Sequence, residues 1–395
     1  MNEKFLYLLF STASIDRWND QIRPVDFVEL DKQSHKMIIA WLLGRIEESE
    51  NGVSIDWNRL IDFGVCEFIY RAVVTDLKPP VFHYLQKHKR AELDDYVKSV
   101  VFPVIDEKLK KRFETYLTFD PSSMERRILN AAHFLASRWE FDIIYDFRPG
   151  AAGVKEIKDK IDKEVEDYLD LTGVRRIELG KKSRSFLEIC AMLRFQKRWA
   201  KTPLLPKTSV LGHSFFVAVL TYLMSLEYGA CEKKLYNNFF CALFHDIAES
   251  LTRDIISPVK YGVKGLDLLL KEYEDTVIED RLLPLLPPYL RSEMSYFIKD
   301  EFADRIIEKG EVKKISDPEM MLHRYNENRF SPVDGSLIKV ADHMGAFMEA
   351  CASIHNGVAP TELKNAKEAL KKRYKGFALF GIDIESIFTR LEKGV

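Results

Sequence analysis

The run LFHDIAESLTRDIISPVKY, Leu243 to Tyr261, sets His245 and Asp246 side by side among apolar residues and follows them with Glu249 and Asp254. Neutral imidazoles and carboxylates hold a hard or borderline divalent cation when they converge from a rigid scaffold that leaves positions open for water and substrate. The spacing predicts that His245 and Asp246 project from one helix, with Glu249 one turn after His245 on nearly the same face. Such a group offers two ligands and a proton acceptor. His213 and Asp342 each lie in an apolar amphipathic stretch, where an unpaired ionised group is costly, and complete the candidate set from two further helices. A lone histidine on an apolar helix is more often a hydrogen-bonded core residue than a ligand. Here the ordered group of four carries the metal reading.

The elements that must present these residues are helical. Phe215, Val219 and Tyr222 recur at helical spacing in HSFFVAVLTYLMSLEY, as do Leu337, Val340, Ala341 and Met344 in SLIKVADHMGAFMEA. Strand-like alternation is scarce, so the expectation is an all-α fold with loops at KTPLLPKT, SPVKYGVKG, LLPLLPPYL and RFSPVDGS. A length of 395 residues suggests two domains. Internal similarity points the same way. GVCEFIYRAVVTDLKPPVF (Gly64 to Phe82) can be laid on the Leu243–Tyr261 run with Asp76, Pro80 and Val81 meeting Asp254, Pro258 and Val259. The same offset carries His35 onto His213, an Arg-Trp pair precedes both (Arg17-Trp18 and Arg198-Trp199), and His133 in ILNAAHFLAS falls on Asp342. In that alignment three extra residues separate the first Arg-Trp pair from its histidine. The reading is a diverged tandem of two HD-like helical bundles, residues 1–175 and 176–395.

The order His213, His245-Asp246, Asp342 resembles the H…HD…D signature of the HD-domain metal-dependent phosphohydrolases. Arg198-Trp199 stands fifteen residues before His213; with HDIAESLTRDIISPVKY and LIKVADHMGAFMEA it resembles the bacterial 5'-deoxynucleotidase branch, the YfbR-like proteins, over about Leu187 to Gly357. LGH replaces the AEH usual before the first histidine, a change that touches no ligand. The resemblance implies His213, His245, Asp246 and Asp342 as metal ligands, Glu249 as the carboxylate that handles the proton of the attacking water, and Arg198 as the phosphate-binding arginine. It places Trp199 and Asp254 beside the sugar. One divalent ion is implied, with manganese, cobalt, iron, nickel and zinc all compatible with such donors. The expected substrate is a (deoxy)nucleoside 5'-monophosphate. Rival readings are a nucleoside triphosphohydrolase, a cyclic-nucleotide phosphodiesterase and a non-catalytic nucleotide sensor, the last disfavoured by the intact Glu249.

In the first copy the same alignment puts Glu67 at His245, Phe68 at Asp246, Arg71 at Glu249 and His133 at Asp342, so a single active centre is expected, in the second copy. The first would then serve as an internal pseudo-dimer partner, a scaffold or a regulatory nucleotide site built on Arg17 and Trp18. A formal net charge of -2 provides no basic field for nucleic acid. The five cysteines are scattered without a C-x-x-C pair, as in a reducing compartment. The N-terminal FLYLLF is too short for a signal core or membrane span. A cytoplasmic protein is expected, with no membrane partner.

Overall fold

The computed structural model describes residues 1–75, 77–253 and 265–394. The architecture is all-α: helices dominate, and among the described residues strands occur only as three short antiparallel pairs. The chain forms two compact units. Leu8–Glu188 make the N-terminal unit, and Ile189–Val395 together with Met1–Tyr7 make the C-terminal unit. The opening residues are tied to the latter by an ion pair between the Met1 ammonium and Glu227 and by the Tyr7 hydroxyl, which donates to the Leu391 carbonyl.

After α1 (Glu3–Phe10), which straddles the division, the N-terminal unit opens with the pair β1 (Asp16–Arg17) and β2 (Phe27–Val28). It continues through α2 (Glu29–Asn51), α3 (Trp57–Val74), α4 (Pro79–Val101), α5 (Glu107–Thr118), α6 (Met124–Phe147), α7 (Val154–Glu164) and α8 (Thr172–Leu179). Helix α2 packs along α6 and α8, while α3 packs on α4, α5 and α6. The charged stretch after Gly153 forms α7 and a following 3-10 turn, with only Val154 and Ile161 of the helix buried.

Helix α9 (Lys181–Met192) crosses the division at Glu188 and leads in the C-terminal unit to α10 (Val210–Tyr228), α11 (Glu232–Phe244) and the single turn α12 (Glu249–Thr252). Then come α13 (Leu266–Val277), α14 (Pro288–Ile298), the hairpin β3 (Arg305–Glu308) and β4 (Glu311–Lys314), α15 (Pro318–His323), α16 (Gly335–His355) and α17 (Thr361–Arg373). The pair β5 (Ala378–Leu379) and β6 (Ile382–Asp383) precedes α18 (Ile384–Lys393). Helix α10 is apolar all round because α11 and α16 pack on it. By length and hydropathy it could cross a membrane, but 94% of its most apolar window is buried within the fold. The β3–β4 hairpin was not expected from the sequence. Lys309 and Gly310 supply the two left-handed residues that such a tight turn requires (φ 55° and 82°). Part of LLPLLPPYL also proves helical, since Pro288 occupies the first turn of α14, where its missing N–H costs nothing.

Asp334, fully buried at the start of α16, binds the three site-bearing helices together. It accepts hydrogen bonds from Tyr228 Oη at the end of α10 and from Asn238 Nδ2 of α11, and Lys234 of α11 approaches it to 3.3 Å. Gly335 follows because a Cβ there would lie 2.4 Å from the Ala303 backbone. The Asp304 carboxylate then accepts from the backbone N–H and hydroxyl of Ser336. These contacts set the axial position of α16, and with it the height of Asp342.

Candidate metal centre

His213 leaves the first turn of α10, which is capped by Ser209 accepting from the Gly212 amide. Its Nε2 lies 2.9 Å from Oδ1 of Asp342 on α16, and its Nδ1 lies 3.6 Å from Oε1 of Glu349. His245 caps the C-terminus of α11, and its Nδ1 hydrogen-bonds the Ala242 carbonyl at 2.7 Å. A carbonyl only accepts, so Nδ1 carries a proton and Nε2 is the nitrogen left to offer a lone pair when the ring is neutral. That Nε2 is buried without a hydrogen-bond partner; Asp246 Oδ2 is 3.1 Å away, but not in hydrogen-bonding alignment. One donor atom each from His213, His245 and Asp342 lie within 4.8 Å of one another. Asp246 adjoins this group through His245. An orphaned imidazole nitrogen beside carboxylates fits a divalent cation, and the backbone bond on its other nitrogen is the usual device for aiming a ligating ring.

The expected single helix for His245, Asp246 and Glu249 is not what forms. Helix α11 stops at Phe244, residues 245–248 turn, and Glu249 begins α12. The His245 ring takes the Ala242 carbonyl, and the amides of Ile247, Glu249 and Ser250 bond three residues back instead of four. Competition between side chain and backbone for a carbonyl thus tightens the chain where the ligands leave it. The Glu249 carbonyl accepts from Gln196 Nε2 at 2.7 Å, which ties the turn to the segment leading to Arg198. Asp254 lies outside the described residues, as do Pro258, Val259, Lys260 and Tyr261.

Glu349 is the functional residue that sequence reasoning missed. Only 1% exposed, it accepts from Arg198 Nε (3.2 Å), Trp199 Nε1 (2.8 Å) and Thr208 Oγ1 (2.8 Å), besides its approach to His213. It stands seven residues after Asp342, two helical turns along the same face of α16; that spacing was the available signal. Among the described residues no other hydrogen bond engages the Arg198 guanidinium, so its two terminal nitrogens remain for a ligand. Trp199 holds a left-handed backbone (φ 57°), rare for a bulky residue, and packs against Leu204, Ala350 and Leu363.

Opposing charges set the electrostatics of this centre. Burial opposes charge on His245, but Asp246 and Asp342 outweigh it and lift the imidazole to about 9. Burial likewise opposes ionisation of Asp342, yet His213 and Arg198 hold it well below the carboxylate range. Asp246 is also held down, mainly by His245 against its own burial. Glu349, against burial, is kept at about 2 by Arg198 and His213. Four acidic side chains (Glu349, Asp342, Asp246 and Glu249) act on the Arg198 guanidinium, a negative balance suited to a bound dication.

Gly345 completes the packing of His213: a Cβ there would stand 3.0 Å from its Cε1 and 3.2 Å from its Nδ1. The ring is already fixed by Asp342 and Glu349 and has little room to yield. Gly345→Ala is therefore expected to weaken metal binding about 10- to 100-fold, as loss of ligand orientation does. Thermal stability should be preserved by alanine's better helix propensity. Metal titration alongside a melting curve checks both.

A family model described as HD domain matches residues 190–371, a span that holds every described residue of this centre. Across 190 residues, 46% of this chain and 80% of the relative, the chain is 24% identical to a 5'-deoxynucleotidase of Pasteurella multocida (strain Pm70).

Proposed function

We propose that the C-terminal unit is a divalent-metal-dependent phosphohydrolase acting on nucleoside 5'-monophosphates. The observation that carries this reading is the convergence of His213, His245 and Asp342 on one point, with the His245 Nε2 buried and making no hydrogen bond. The HD domain match supports the hydrolase class, and the similarity to a 5'-deoxynucleotidase supports the substrate class. His213, His245, Asp246 and Asp342 would hold the ion. When bound, such an ion polarises a phosphoryl oxygen and lowers the pKa of a water molecule.

The chain's own residues do the rest. Arg198, held at Nε by Glu349, offers its terminal nitrogens as a planar fork for phosphate oxygens. Glu249 takes the proton of the attacking water as general base. Trp199, fixed at its indole nitrogen, presents its ring as a wall for the sugar, the position also assigned to Asp254. The test is phosphate release from deoxyribo- and ribonucleoside monophosphates with added manganese or cobalt, wild type against Asp246→Asn. Metal-dependent release lost in the variant is expected. Absence of release from every monophosphate by metal-loaded protein would overturn the 5'-nucleotidase reading.

Metal binding should be proton-linked. In the metal-free protein His245 is protonated below about 9, and the proton at Nε2 competes with the ion for the same lone pair. Affinity is therefore expected to rise about tenfold per pH unit from 7 towards 9 and then level off. About one proton should leave His245 per ion bound at pH 7. Calorimetric titration in two buffers of different ionisation enthalpy reads this directly; equal heats in both would refute it.

A further inference from the structure

The N-terminal unit repeats the local geometry of the metal centre with different chemistry. Trp18 is left-handed like Trp199 (φ 56°), and Glu140 accepts from Arg17 Nε (2.9 Å) and Trp18 Nε1 (2.8 Å) as Glu349 does from Arg198 and Trp199. Glu140 follows His133 by seven residues, as Glu349 follows Asp342. The pairing of Arg17 with Phe27 and of Asp16 with Val28, against the bridge of Lys197 with Ser209, sets the register. Fifteen residues after Arg17 stands Lys32, not His35. The alignment of His35 with His213 is thus corrected: Lys32 Nζ lies 2.6 Å from Nδ1 of His133, while His35 packs edge-on against Trp139. Lys32, Glu67, Phe68, Arg71 and His133 then occupy the places of His213, His245, Asp246, Glu249 and Asp342.

These replacements invert the site's preference. A lysine stands at one ligand position, a phenyl ring at another, and a guanidinium at that of the general base. A cavity of about 600 Å³ remains, with Glu67, Arg71 and His133 in its wall beside Phe134, Tyr116 and Tyr168. Glu67 is already engaged by Lys36 at 3.0 Å and by His133 at 3.0 Å, and Arg17 by Glu29 and Glu140. Arg71 differs. Its guanidinium lies over the Phe82 ring at 4.2 Å, and among the described residues it has no hydrogen-bonded or ion-paired partner. Lys32 is fully buried against His133, and burial pulls it well below the lysine range against the pull of Glu29. Phe134 and Tyr168 stack at 5.3 Å and 27°, giving the cavity a flat aromatic side. Its volume is that of a small-molecule site.

We propose that this cavity binds a nucleoside phosphate without a metal ion, Arg71 holding the phosphate and the aromatic side the base. Arg71, not Arg17, is the phosphate ligand, because both carboxylates near Arg17 already use it. Binding here would stand whether or not the C-terminal unit hydrolyses the same compound. With Arg71 at the place of Glu249, the cavity is a binding site only.

The test uses the full chain carrying Asp246→Asn, in chelator, titrated calorimetrically with deoxyadenosine monophosphate, deoxyadenosine and inorganic phosphate. Saturable binding of the nucleotide is expected, with the nucleoside and inorganic phosphate each at least about tenfold weaker. Arg71→Gln should weaken nucleotide binding by about tenfold or more. Asn130→Trp, an exposed position on the cavity wall, should block it without disturbing the core. Absence of saturable binding, or nucleotide affinity unchanged in Arg71→Gln and Asn130→Trp, overturns the proposal. Equal affinity for inorganic phosphate also overturns it, since the aromatic side would then do nothing. Phosphate release by wild-type protein with metal is a separate readout, so failure of one reading is distinguishable from failure of the other.

Discussion

Glu349→Ala is expected to lower the unfolding free energy by about 3 kcal/mol and phosphate release by more than about a hundredfold. The carboxylate is fully buried and gathers Arg198, Trp199 and Thr208 by hydrogen bonds, with His213 close by. Its removal leaves a guanidinium without its counter-charge and an indole N–H without its acceptor. The lower end of the range for a broken buried pair applies because the Arg198 side chain keeps 19% exposure to water. Glu349 does not touch the reacting atoms in this arrangement and acts as a positioning residue. Glu349→Gln, which keeps an acceptor but not the charge, should therefore raise KM more than it lowers kcat. A purely structural role would move melting temperature without that split.

The pH dependence supplies a second readout on the same residue. Glu349 falls from an ordinary 4.5 to about 2 on folding, so its stabilising effect is complete above pH 4.5 and fades as pH drops towards 2. The wild type should lose stability over that window more steeply than Glu349→Gln, as chemical denaturation at a series of pH values would show.

Glu249→Gln is expected to reduce kcat by about 10²- to 10⁴-fold while the protein keeps its metal. The amide is nearly isosteric but cannot accept the proton of the attacking water. Asp246→Asn, by contrast, should lose both metal and turnover, and metal analysis of the two purified variants separates a base from a ligand. If Glu249→Gln retained wild-type turnover, the general base would have to be sought elsewhere.

Much of this could be read from residue order. An all-α fold follows from apolar residues at helical spacing in α10 and α16, because that period is written locally. His213, His245, Asp246 and Asp342 stood out for a similar reason: each is a polar group on an apolar segment, where burial without a partner is costly. The end of α11 at Phe244 was not legible, because it depends on one imidazole reaching one carbonyl, a contact that propensity and period do not encode. The role of Glu349 was also hidden. Its place two turns beyond Asp342 is visible in the sequence, but its partners lie about 150 residues upstream and meet it only when α10 and α16 pack together.

Lys32 shows the limit most directly. Matching His35 to His213 paired like residue types, whereas helix register depends on where β2 hands over to α2 and where the segment before α10 pairs with Lys197. Those starting points put Lys32, not His35, fifteen residues after Arg17. Residue types and spacing therefore determined the helical class and the donors on offer. Tertiary packing decided which donors converge and which carboxylate orients them, because convergence depends on helix register and long-range contact that no local pattern contains.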